Sequence, residues 1–128
     1  MLLAVINAND PLREYGIKAF NRRDLILSPF SLLELNLLRR SLEIEVSDFQ
    51  AFVQGISELL AQKEVKLLPD RPEYHYEANA LEKRFHLTFF DSLHAGVSKV
   101  EGETMLSFDK AYDRLTNSGV RRTDPRDL

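Results

Sequence analysis

FHLTFFDSLHAGVSKVEGETMLSFDKAYD, residues 85–113, is the stretch on which the reading of this chain turns. It sets Asp91 inside an aromatic-rich helical segment. It sets Asp109 directly after a short apolar run, Thr104 to Phe108, that reads as a buried strand. An aspartate beside so much apolar surface is costly unless it is paired, hydrogen-bonded or bound to a cation. With Glu34 upstream in a leucine-rich helix, the two aspartates suggest a carboxylate cluster built to hold a metal.

The rest of the chain reads as the scaffold of that cluster. Asp10 before Pro11 is a helix start, cap residue first and proline at the first helical position. Leu25 to Leu27 has the length of a buried strand, and Ser28-Pro29 begins a helix over about Phe30 to Leu42. With leucines at 32, 33, 35, 37, 38 and 42, that helix is apolar around most of its circumference, which predicts a place in the core. Ser47-Asp48-Phe49-Gln50 resembles a capping box. Phe49, Phe52, Val53, Ile56, Leu59 and Leu60 follow it as the clearest amphipathic helix. Val65 to Leu68 is a third short run, closed by Pro69. Pro72 starts another helix, and Thr88 caps the one that bears Asp91. Beyond the 104–108 strand come a short helix, Lys110 to Leu115, and an edge strand, Val120 to Thr123. The apolar Met1 to Ile6 is too short for periodicity to separate strand from helix. Short strands alternating with helices predict an α/β domain, one mostly parallel sheet covered by helices, with residues 1–128 as a single domain.

Composition narrows the chemistry. At 128 residues, with 44% apolar and 29% charged residues, the chain can bury a core without disulfides or structural metals. It has no cysteine, which excludes thiolate zinc sites and cysteine nucleophiles and fits a reducing cytoplasm. The first residues lack a basic leader, so no signal sequence is expected. No apolar run approaches membrane-spanning length. A net charge of −3 argues against a generic nucleic-acid binder and agrees with clustered carboxylates. No G-x-S-x-G, phosphate loop or dinucleotide fingerprint occurs. His75, His86 and His94 lack metal-ligand spacing. The pairs Arg22-Arg23, Arg39-Arg40 and Arg121-Arg122 suit phosphates or solvated helix ends equally.

Each acidic residue has an ordinary reading beside the functional one. Ser31-x-x-Glu34 matches a capping box, in which the glutamate satisfies a backbone N–H. On a helical wheel, however, Glu34 falls between Leu37 and Leu38 while Asn36, Arg39 and Arg40 mark the exposed arc, which favours a functional role. Thr88-x-x-Asp91 is also a capping pattern, although Leu87, His94 and Ala95 make its face half-buried and Gly96 implies close packing nearby. Asp109 is placed to cap the helix that begins at Lys110. It is placed equally well outside the carboxyl end of a strand, where ligand sites of open parallel sheets lie. The combination is the stronger signal.

The segments SPFSLLELNLLRR (28–40), LTFFDSLHAGVSK (87–99) and TMLSFDKAYDRL (104–115), in this order and spacing, resemble a PIN domain. The likeness is nearest to the small prokaryotic members that act as VapC-type toxins in toxin–antitoxin pairs. It covers nearly the whole chain, including the Asn9-Asp10-Pro11 turn and the terminal V-R-R-x-D-P, residues 120–125. The resemblance implies a three-layer fold, helices about a parallel sheet whose first strand is central, with acidic residues converging at the strands' carboxyl ends. It implies a metal-dependent ribonuclease using Mg2+ or Mn2+. Carried across by position, Glu34 matches the family's helix glutamate, Asp91 its third acidic position and Asp109 its fourth. Asp113 stands where some members carry a further acid, and Ser107 matches the small hydroxyl residue two before Asp109. Catalytic and metal-binding roles are accordingly expected of Glu34, Asp91 and Asp109, a further metal-binding role of Asp113, and a supporting one of Ser107.

One departure bears on activity. The family's first aspartate ends the first strand in a pattern like D-T-x-x-L-L, just upstream of the helix that MLLAVINAND resembles. Neither has a counterpart in this sequence. The chain is therefore read as N-terminally truncated, or Met1 as an internal methionine taken for the start. The expected partners are RNA, a cognate antitoxin and a second copy in a homodimer, with no membrane. A rival of another class is a catalytically inactive PIN-like binding protein or fragment that acts by pairing with other proteins. A third reading makes every acid a helix cap.

Overall fold

The computed structural model describes residues 7, 9–22 and 24–128. The apolar run at 1–6, which makes up most of the segment likened to the family's helix, lies outside these residues. The chain divides into two compact units, Phe20–Pro69 in one and Asp70–Leu128 with the segment up to Ala19 in the other.

In the 20–69 unit, strand β1 (Ile26–Leu27) pairs in parallel with β2 (Lys66–Leu67), in the register Ile26 with Lys66 and Leu27 with Leu67. Helices α2 (Ser31–Arg40) and α3 (Phe49–Gln62) lie between them in the chain. The cap of α3 is Asp48, whose carboxylate accepts from the Ala51 N–H at 3.1 Å. The expected box put Ser47 there. The backbone of Asp48 is extended and its carboxylate oxygen reaches the third N–H, so the cap falls one residue later, on the charged acceptor.

Helix α2 departs further from expectation. Leu35 is its buried residue, whereas Leu33 and Leu37 are 49% and 44% exposed. The leucines surround the helix without burying it, because composition around a wheel does not say which arc finds a partner. The exposed arc runs through Leu33, Leu37 and Arg40, and Asn36 and Arg39 are half-buried. Arg39 lies over the Phe49 ring at 4.3 Å and donates to Asn36 at 3.0 Å, so half of this basic pair is committed to packing.

In the other unit Asp10 caps a turn and not the helix itself, since Pro11 and Leu12 are turn residues and the helix begins two positions later than read, at Arg13. Its Oδ1 accepts the Leu12 N–H at 2.8 Å just before helix α1 (Arg13–Phe20). Helices α4 (Pro72–Phe85) and α5 (Phe89–Glu101) then pack closely against each other. Gly96 explains how close. A Cβ there would stand 2.5 Å from the Tyr74 carbonyl oxygen and 3.0 Å from the Ala78 nitrogen. Tyr74 is itself fully buried and its hydroxyl donates to Glu101, which also accepts from Arg71 at 3.0 Å. Burial, and then the bond to Glu101, push the Tyr74 phenol up, so it stays a neutral donor. Gly102, at φ 67°, ends α5 in the left-handed conformation that glycine adopts without strain. His86 ends α4 in the same conformation at φ 55°, with its backbone N–H bonded to Glu82.

Strand β3 (Met105–Leu106) follows, then a 3-10 helix over Lys110–Ser118, strand β4 (Arg122–Thr123) and a last turn at Pro125–Asp127. β3 and β4 pair in parallel, Met105 with Arg122 and Leu106 with Thr123. Leu81, Leu87, Ala95, Tyr112, Leu115 and Val120 make one core cluster, with Phe85 and Met105 packed on it. The architecture is α/β, mostly helical with short parallel strands. The single sheet expected from the alternation is, among the described residues, two separate two-stranded pairs. Each apolar run of three to five residues contributes only two paired positions, because flanking prolines, serines and caps turn the backbone away.

Candidate functional site

Asp91 sits in the first turn of α5, half-buried. Half of the capping pattern is formed, since Thr88 Oγ1 accepts the Asp91 N–H at 3.4 Å. The carboxylate is engaged elsewhere. Tyr112, 5% exposed in the 3-10 helix, donates its hydroxyl to Asp91 Oδ1 at 3.0 Å.

Asp109 caps that same 3-10 helix. Its Oδ1 accepts the Ala111 N–H at 2.8 Å, so the ordinary reading of this residue is realised. Ser107 supports it, accepting the Asp109 N–H on Oγ at 3.1 Å. Asp109 itself is exposed. Neither aspartate is therefore buried in the apolar surface that the sequence puts beside it; the neighbouring phenylalanines do not take them out of water. Both use Oδ1 in these bonds, leaving Oδ2 of each outside them.

Asp113 is paired. Arg122, only 9% exposed, donates Nε to Asp113 Oδ1 at 2.8 Å and Nη2 to Oδ2 at 3.2 Å. The Arg122 hydrogen bonds hold the Asp113 carboxyl below the usual carboxylate range. The third nitrogen, Nη1, donates to the Ser107 carbonyl at 2.7 Å and reaches Asp124 Oδ2 at 3.4 Å. Asp124, 8% exposed, accepts from the Arg126 guanidinium and from the Arg126 N–H, and these hold it far below the usual range. Arg122 thus ties β4 to the loop after β3 and to the 3-10 helix.

Glu34 belongs to the 20–69 unit, half-buried in the first turn of α2. The cap position of α2 is Phe30, without a side-chain cap bond, and Ser31 is already helical. The capping box proposed for Ser31 and Glu34 needs Ser31 at the cap.

Among the described residues, no group of three or more His, Cys, Asp and Glu side chains gathers as a metal site. His75 is bonded to Asp70 at 2.9 Å. The chemistry of the candidate donors nevertheless suits a hard divalent ion, being all oxygen in a chain without cysteine. Sequence reasoning missed Tyr112 and Arg122. Tyr112 carried no signal beyond lying three residues after Asp109. Arg122 was one of a basic pair, and only packing shows that it turns inward.

The family model of the PIN domain matches residues 1–117. The chain belongs to the PIN domain family. No curated protein and no solved structure matches it significantly. PIN domains are generally nucleases that need metal ions and act on RNA. For this PIN domain the match includes Glu34, Asp91, Asp109 and Asp113, and it stops short of Arg122 and Asp124. No described helix is long and apolar enough to cross a membrane.

Proposed function

We propose that this PIN domain is an endoribonuclease of the toxin–antitoxin type, hydrolysing RNA phosphodiesters with Mg2+ or Mn2+. Glu34, Asp91 and Asp109 are its catalytic and metal-binding residues, Asp113, four residues after Asp109, a further metal-binding acid, and Ser107 a support for Asp109. When bound, such an ion polarises a phosphodiester and lowers the pKa of a water that attacks it. The carboxylates then serve to hold and orient, and no side chain acts as nucleophile. What supports this most is the family match over residues 1–117. Beside it stands the linkage of Asp91 and Asp109 through one 3-10 helix, capped by the second and bonded by Tyr112 to the first. The whole of residues 1–128 serves as one functional domain. Its cellular setting in this reading is the cytoplasm, as a homodimer held in check by an antitoxin protein.

In the PIN pattern a further aspartate, at the end of the first strand, would add charge and an oxygen ligand at a magnesium site. The test is divalent-metal-dependent cleavage of single-stranded RNA by purified protein, compared with Asp91→Asn. Cleavage that needs Mn2+ or Mg2+ and is lost in Asp91→Asn supports the reading. Protein that stays inert with Mn2+, and remains so when an upstream aspartate-bearing segment is added, refutes it in favour of a binding role without catalysis.

A further inference from the structure

We infer that Tyr112 is the positioning residue of this site, holding Asp91 in a set orientation through the helix that Asp109 caps. The inference rests on the metal-dependent reading above and names a part of the machinery that the acidic residues do not include. Tyr112 is nearly buried, in the same core cluster as Leu81, Leu87, Ala95, Leu115 and Val120. Its ring is therefore held by packing on several sides, and its hydroxyl has little freedom. That hydroxyl lies 3.0 Å from Asp91 Oδ1, a donor to an anionic acceptor, which is the stronger class of neutral-to-charged hydrogen bond. A carboxylate in the first turn of a helix can otherwise rotate through several rotamers. Engaged on Oδ1, Asp91 keeps Oδ2 for other work.

The same segment fixes Asp109. It caps the 3-10 helix through Oδ1, three residues before Tyr112. The segment is in turn anchored by Arg122, which grips Asp113 in the helix and the Ser107 carbonyl just before it. A nine-residue 3-10 helix is long for its type, and such helices are otherwise weakly held. The anchoring explains why this one persists. Two aspartates far apart in sequence are thus registered to each other by one short helix, and Tyr112 is the link to the first. Partners that orient metal-binding carboxylates from behind typically govern metal affinity by about ten-fold or more.

The deciding experiment is Mn2+ binding, followed by electron paramagnetic resonance, in full-length wild type, Tyr112→Phe, Asp91→Asn and the double variant. Phenylalanine keeps the ring and its packing and removes only the donor. Tyr112→Phe should weaken Mn2+ binding about ten-fold, with a melting temperature close to wild type. In the Asp91→Asn background it should have no further effect, because it acts through that carboxylate. Additive losses, or Mn2+ binding that depends on Asp91 and not on Tyr112, overturn the inference and leave the nuclease reading standing. Mn2+ binding indifferent to Asp91 overturns both.

Discussion

Arg122 and Asp113 face each other in a two-point contact, Nε to Oδ1 at 2.8 Å and Nη2 to Oδ2 at 3.2 Å, across the joint between β4 and the 3-10 helix. The geometry is the fork-on-fork pairing that arginine makes and lysine cannot. Because Arg122 is 9% exposed and also serves Ser107 and Asp124, it acts as a hub. Arg122→Lys should therefore not rescue Arg122→Ala. Both should lower the melting temperature by several degrees in a thermal unfolding scan. An alanine variant as stable as wild type would show that the hub is dispensable.

Acid should loosen the same region. Asp124 and Asp113 both have folded-state pKa values depressed by their arginine partners. A depressed carboxylate contributes stability above its unfolded value, near 3.9, and loses it as pH falls toward the folded value. Stability should be level from about pH 7 to 5 and decline below about pH 4. In Asp124→Asn the decline should be shallower. Chemical denaturation at a series of pH values measures it, and an unchanged slope would remove Asp124 from the account.

Asp109 allows its two roles to be separated by chemistry. Asparagine caps a helix about as well as aspartate, whereas alanine costs about 1 kcal/mol. Asp109→Asn should keep its denaturation midpoint while losing metal-dependent cleavage, and Asp109→Ala should lose both. If Asp109→Asn cleaves RNA as wild type does, Asp109 is a cap and nothing more.

Gly96 sets the spacing of α4 and α5. Alanine is a better helix former than glycine by about 1 kcal/mol, but its Cβ would press on the Tyr74 carbonyl at 2.5 Å. Overpacking against a backbone atom costs about 1–3 kcal/mol, so the clash should win. Gly96→Ala should be destabilised and Gly96→Val more so, in urea unfolding. A stabilised Gly96→Ala would mean that the helices separate easily.

Much of this architecture is written in local chemistry. Asp10 and Pro11, Thr88, Asp109 and Gly102 each act within a few residues of where they stand. The turn before α1, the cap of α5, the cap of the 3-10 helix and the end of α5 follow from them. The positions of all four strands, from Ile26 to Thr123, fall inside the segments read for them, three of them apolar runs and the last the edge segment 120–123. The family, too, was legible in the segments holding Glu34, Asp91 and Asp109. Partners distant in sequence were not. The leucines of α2 surround the helix, and only packing chose Leu35 for burial while leaving Leu33 and Leu37 in water. The strands' pairing into two short sheets depends on the third dimension in the same way. So does the carboxylate of Asp91, whose donor comes from Tyr112, 21 residues on. A hydrogen bond of that reach needs the core to close first. Residue type and local spacing determine caps, turns and candidate acids; tertiary packing decides which oxygen of which acid is held, and by what.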